Sequence, residues 1–157
     1  MKFYSPTKGV MNFPRVFTAI RDFMAENPED EYRLIIGTDS QVRRQTVFVT
    51  ALIVHRVGKG GRFFYTRRRE RVMDSLRQRI YYETSLSLDI AAKVTAMLAQ
   101  TELADLKLEI HLDIGPNGET RSLIRELVGM VIGSGFAARI KPYSIGASSV
   151  ADKYTKG

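Results

Sequence analysis

Apolar residues recur along the chain in two rhythms, one of about 3.6 residues and one close to two, and their order predicts the architecture. From Phe13 to Ala25 they fall at Phe13, Val16, Phe17, Ile20, Phe23 and Met24. This is helical spacing, with Pro14 suited to a first turn and Asn27-Pro28-Glu29-Asp30 ending the run. Tyr32 to Thr38 reads as a strand. Its centre, Leu34-Ile35-Ile36, is apolar without alternation, as in a strand buried on both faces. Thr46 to Val57, rich in Val, Ile and Thr, reads as a second strand, Gly58-Lys59-Gly60-Gly61 as a hairpin connection, and Arg62 to Arg71 as a third strand. Helical spacing returns over Asp74 to Gln100, through Leu76, Ile80, Leu86, Ile90, Val94, Met97 and Leu98. Leu106 to Ile114 alternates as a fourth strand. Glu119 to Ile132 is a helix between Asn117-Gly118 and Gly133-Ser134-Gly135. Phe136 to Tyr143 is a fifth strand, and Ser148 caps a short last helix containing Asp152. The opening Ser5-Pro6-Thr7-Lys8-Gly9 reads as a loop.

An antiparallel meander followed by βα units implies an α/β fold. The expected sheet is mixed and five-stranded, three antiparallel strands and then βα units, flanked by helices, with an extra N-terminal helix. The length of 157 residues fits a single domain over 1–157.

Composition narrows the chemistry. Cysteine is absent and there are two histidines, His55 and His111, which excludes thiolate sites and argues against structural zinc. Any metal rests on carboxylates, which favours Mg²⁺ or Mn²⁺. The longest apolar run, Val47 to Val54, is broken by Thr50 and too short to cross a bilayer. Met1-Lys2-Phe3-Tyr4 does not begin a signal peptide, so a cytoplasmic location and no membrane partner are expected. Net charge is +7, but between Arg43 and Arg79 eleven Lys or Arg stand against only Glu70 and Asp74. The plain reading is a solvated basic face. The functional one is a surface for RNA or DNA, where cations release counterions from phosphates. Arg67, Arg68 and Arg69 follow Phe63-Phe64-Tyr65, a mixture suited to strand or base contacts.

Acids fall where such folds bind ligands, beyond the carboxyl ends of parallel strands. Asp39 follows the first core strand within Gly37-Thr38-Asp39-Ser40-Gln41, and Asp113 lies near the end of the fourth. If the two strands are parallel neighbours, the carboxylates come together and repel unless a proton or a cation intervenes. Plainer readings stand beside this: Asp39 as a turn residue and Asp113 as the start of a loop. Glu83 shares the apolar face of its helix with Ser87, Ile90, Val94 and Met97. A buried carboxylate there needs a metal or a partner such as Arg79. Asp89 lies on another face and reads as exposed. Asp152 is an ordinary terminal acid unless its helix packs over the strand ends. His111 precedes Asp113 by two, on the same strand face, and reads as a strand histidine with a local partner or a group that orients a ligand.

Five segments, Ser5-Pro6-Thr7-Lys8-Gly9, Ile36-Gly37-Thr38-Asp39-Ser40-Gln41, Tyr82-Glu83-Thr84-Ser85, His111-Leu112-Asp113-Ile114-Gly115 and Ala151-Asp152-Lys153-Tyr154-Thr155, resemble the YkuK-like family of ribonuclease H-like proteins. The resemblance implies a ribonuclease H-like fold and four acids, Asp39, Glu83, Asp113 and Asp152, binding two divalent ions that cut phosphodiesters. It implies that Asp39 bridges both ions, with Glu83 and Asp113 completing one site and Asp152 the other. No catalytic histidine loop of the kind some ribonucleases H carry is evident near the C-terminus. Ser40, Gln41 and Lys153 are further candidates for contact with nucleic acid. Three functions follow: a two-metal nuclease acting on RNA, DNA or a hybrid; a non-catalytic nucleic-acid-binding module of the same fold; and a basic face for an acidic protein partner.

Overall fold

The structure, a computed structural model, describes residues 1–144 and 154–155. In chain order its elements are β1 (Phe3–Ser5), β2 (Gly9–Met11), α1 (Phe13–Ala25), β3 (Tyr32–Val42), β4 (Thr46–Arg56), β5 (Gly60–Glu70), α2 (Leu76–Leu98), β6 (Lys107–His111), a 3₁₀ turn (Arg121–Leu123), α3 (Ile124–Gly133) and β7 (Ala137–Arg139). The strands form one mixed sheet in the order β2-β1-β5-β4-β3-β6-β7. The expected meander is present, β3 to β4 and β4 to β5 being antiparallel. Both βα connections lead to parallel neighbours, β6 beside β3 and β7 beside β6.

Among the described residues the sheet has seven strands rather than the five expected. The two extra are β1 and β2, a hairpin around the Ser5-to-Gly9 loop, attached to β5 where Tyr4 pairs with Tyr65. Each is three residues long, too short for alternation to show in the sequence. The last strand stops at Arg139 instead of Tyr143, and the helix expected from Glu119 begins as a 3₁₀ turn and becomes α-helical at Ile124. The first two helices start within two residues of where they were expected, and each is opened by a side-chain acceptor. Asn12 Oδ1 accepts from the Arg15 amide at 2.9 Å to open α1, and Ser75 Oγ accepts from the Gln78 amide at 3.2 Å to open α2.

Helices α1, α2 and α3 pack on one face of the sheet. Leu34, Ile36, Leu52, Val54, Phe64 and Ile110, alternate positions on their strands, with Leu112 just past β6, bury against Val16 and Ile20 of α1, Ile90, Val94 and Leu98 of α2, and Leu127 and Val131 of α3. The opposite face carries a smaller cluster, Val49 and Ala51 with Val47, Tyr65 and Tyr154. The terminal helix expected around Asp152 falls mostly outside the described residues, of which Tyr154 and Thr155 are helical. No described helix is long and apolar enough to cross a membrane.

Candidate functional site

β3 outruns its parallel partner. The β3–β6 ladder ends at Gly37↔His111, while the β3–β4 ladder continues through Asp39↔Val49 to Val42↔Thr46. Asp39 therefore sits inside a strand and not in a turn beyond one, on a lip that projects past β6. Asp39 lies two residues beyond Gly37, and Asp113 two beyond His111, so the parallel register brings the two acids to the same level of the rim.

The lip alternates. Thr38 turns to α2, its Oγ1 2.7 Å from Ser87 Oγ and 2.9 Å from Thr50 Oγ1. Ser40 turns the same way, and its hydroxyl donates to Glu83 Oε2. Asp39 and Gln41, between and beyond them, belong to the opposite face. There Thr155 Oγ1 donates to Gln41 Oε1 at 3.3 Å. The spacing on α2 that put Glu83 on the apolar side holds: it is only 8% exposed. Its expected alternative partner makes no direct ion pair with it: Arg79 donates to the carbonyls of Met73 (2.7 Å) and Asp74 (3.1 Å) and acts on Glu83 only through its charge. Burial pushes the Glu83 pKa up, the Ser40 hydrogen bond and, more weakly, the charge of Arg79 oppose that, and the charges of Asp39 and Asp113 add to the rise, which reaches about 8. Glu83 is thus a neutral acid at pH 7 when no cation is beside it. A void of about 10 Å³ has Thr38, Glu83, Ser87 and Asp113 among its walls, on the order of one water molecule.

Asp113 is held differently. Lys141 donates to its Oδ1 at 2.8 Å. Nearby on β6, Glu109 is buried and meets Arg33 at 3.1 Å, His111 Nε2 at 3.1 Å and Arg139 at 3.7 Å. Burial pulls the His111 pKa down against the pull of Glu109. His111 is thus the strand histidine with a local partner that its position suggested.

The donors are hard oxygens of the kind that suit Mg²⁺ or Mn²⁺. The crowding around Glu83 is the kind a cation relieves. Even so, among the described residues no three His, Asp or Glu side chains are gathered closely enough to hold a metal ion. Asp152 and Lys153 lie outside the described residues.

The arginine triplet divides. Arg67 turns inward to the Tyr154 carbonyl at 2.8 Å, Arg68 pairs with Glu70 at 2.7 Å, and Arg69 is exposed. Arg44, Arg69 and Arg71 have no ion pair among the described residues. The Thr46↔Glu70 pairing sets the β3–β4 turn beside the end of β5, so these three cations share the edge of the sheet to which the lip belongs. Lys141 was missed in the sequence because the last strand was expected to run past it. The signal was a basic residue two places beyond a strand parallel to the one leading to Asp113.

A mixed sheet with parallel neighbours at β3, β6 and β7 and helices packed upon it defines an α/β protein of the class whose ligands gather at the carboxyl edge. Residues 15–156 match the model of a family described as ribonuclease H-like. The chain is also 39% identical over 166 residues to "Uncharacterized protein YkuK" of Bacillus subtilis (strain 168), an alignment covering 98% of this chain and 96% of that relative. No solved structure matches it. The chain belongs to the YkuK-like group of the ribonuclease H-like family, and this membership points to work on nucleic acid.

Proposed function

We propose that the chain is a cytoplasmic nuclease that hydrolyses phosphodiester bonds in RNA, DNA or a hybrid, with Mg²⁺ or Mn²⁺ held by Asp39, Glu83 and Asp113, and by Asp152 where a second ion binds. One observation carries this reading: a buried glutamate at the rim of two parallel strands, with its charge opposed by two aspartates. Such a group keeps its proton unless something positive joins it. Divalent ions in such a centre activate water and stabilise the leaving oxygen. The protein's part is to hold the acids in register. The ladders fix the level of Asp39 and Asp113, Ser40 orients the Glu83 carboxylate, and the Thr50–Thr38–Ser87 hydroxyls tie β3 to α2 beside it. Arg44, Arg69 and Arg71 supply the positive edge along which a phosphate backbone is drawn.

The test is cleavage of a panel of single- and double-stranded RNA, DNA and hybrids with Mn²⁺. Wild type cuts at least one, and Asp39→Asn reduces the rate by a factor of 100 or more, on the order of losing a principal charge-stabilising group. Undiminished cleavage by the variant would sink the mechanism. A non-catalytic binding module is the second reading, favoured by the spread of the acids and by the engagement of Asp113 with Lys141. It expects salt-sensitive binding that Asp39→Asn leaves intact, with no cleavage by either protein.

A further inference from the structure

Lys141 is placed with more care than a surface lysine requires. Its amide donates to the Ile114 carbonyl at 2.8 Å, which continues the β6–β7 pairing beyond Arg139 and sets it at the level of Asp113. Its stem lies over Gly115, where a Cβ would come 3.0 Å from Lys141 Cβ. That is closer than a side chain normally approaches, so glycine leaves the stem its path to the rim. The ammonium then ends on Asp113 Oδ1 at 2.8 Å. The pair contributes little to stability, since Lys141 is 57% and Asp113 32% exposed, and exposed ion pairs are worth about 0–1 kcal/mol. Placement so constrained and stabilisation so small point to the site rather than to the fold.

We infer that Lys141 is a positioning residue that supplies, at Asp113, the positive charge a second divalent ion supplies in a two-metal centre. The inference rests on reading the rim acids as a metal site, and it deepens that reading by setting how many ions the site takes. A lysine ammonium is a compact charge with three donors and matches a carboxylate oxygen at hydrogen-bond distance. Mg²⁺ gives up its water reluctantly and gains least from a carboxylate whose charge is already met. Asp113 Oδ1 is therefore met by Lys141 in place of a second ion, which leaves the rest of that carboxylate, with Asp39 and Glu83, to the first. The centre takes up one ion, and the protein provides the other charge itself.

The experiment is titration of the full chain with Mn²⁺ by calorimetry, using wild type, Lys141→Met, Lys141→Gln, Lys141→Arg and the double variant Lys141→Met/Asp113→Asn. Thermal melts confirm folding, and two neutral replacements guard against one that fails to fold. Wild type and Lys141→Arg are expected to bind one Mn²⁺. Lys141→Met and Lys141→Gln are expected to bind a second, or to bind the first at least tenfold more tightly, and the double variant loses that gain. Unchanged affinity and stoichiometry in both neutral variants, two ions in wild type, or a gain that survives Asp113→Asn would each overturn the assignment. If wild type binds Mn²⁺ but the lysine variants do not differ from it, only Lys141's role falls. If none of the proteins binds Mn²⁺, the metal reading of the rim falls with it.

Discussion

Glu83 behaves as two different groups depending on its company. Without a cation its carboxyl keeps a proton up to a pH of about 8, whereas the unfolded chain releases that proton near 4.5. Between those values the folded state binds the extra proton, so stability falls as pH rises across the window, by up to about 1.4 kcal/mol per pH unit from this group. Below the window both states are protonated, and above it both are ionised. Glu83→Gln keeps an acceptor for Ser40 and removes the titration. In EDTA the variant should therefore be more stable than wild type at pH 8 by a few kcal/mol and nearly equal at pH 4, as urea denaturation at the two pH values will show. With Mn²⁺ the order should reverse, because only wild type gains stability from binding the ion. A variant less stable at pH 8 in EDTA would mean that the glutamate is compensated by something other than a cation. The position of this residue was readable from helical spacing alone. Its hydroxyl partner was not, because Ser40 and Glu83 are brought together only by the packing of α2 on β3.

At the scale of elements, the decisive fact is that β3 is longer than the sequence suggested. The apolar run ends at Thr38, but antiparallel pairing with β4 carries the strand to Val42. Polar residues continue a strand where a neighbour satisfies their backbone, and hydrophobic pattern does not report that. Asp39 and Asp113 were recognisable as acids following apolar strands; that they share a level depended on the parallel register. Thr38 anchors this stretch through its hydroxyl. Thr38→Val would leave the buried hydroxyls of Thr50 and Ser87 short of a partner, a loss of about 1–3 kcal/mol. Thr38→Ser should recover most of it. Equilibrium unfolding compares the two, and a neutral Thr38→Val would show that the hydroxyl chain does not brace the rim. The short strands β1, β2 and β7 were the least legible elements, since three residues do not establish a period.

For the whole molecule, charge and cover divide between the two ends and faces of the sheet. The excess of arginine between Arg43 and Arg79 was evident in the sequence, but its division was not: Arg56 and Lys59 meet Asp30, Arg68 meets Glu70, and Arg77 meets Glu126. What remains at the lip's edge is Arg44, Arg69 and Arg71. Replacing all three with Ala should flatten the dependence of log affinity on log salt by about 2–3 for a nucleic-acid ligand that touches each of them, at roughly 0.7–0.9 per phosphate contact. Fluorescence anisotropy at several salt concentrations measures this, and an unchanged slope would place the nucleic acid on another surface. On the face opposite the helices, Tyr154 stacks on Tyr65 at 4.0 Å, and Tyr65 stacks in turn on Tyr4 at 5.4 Å. Tyr154→Ala should cost roughly 1–3 kcal/mol by losing the stack and uncovering Val49 and Ala51.

That column of three rings has a kinetic side. Its outer members stand almost the whole length of the chain apart, so joining them closes a very large loop, and long-range closure is slow. A ribosome delivers Tyr4 and Tyr65 long before Tyr154. During synthesis the sheet can pair and the helices can dock while Val49, Ala51 and Tyr65 still face water. The nascent chain thus passes through an interval in which β3, β4 and β5 are paired but one surface is sticky, and Tyr154 acts as the latch that ends it.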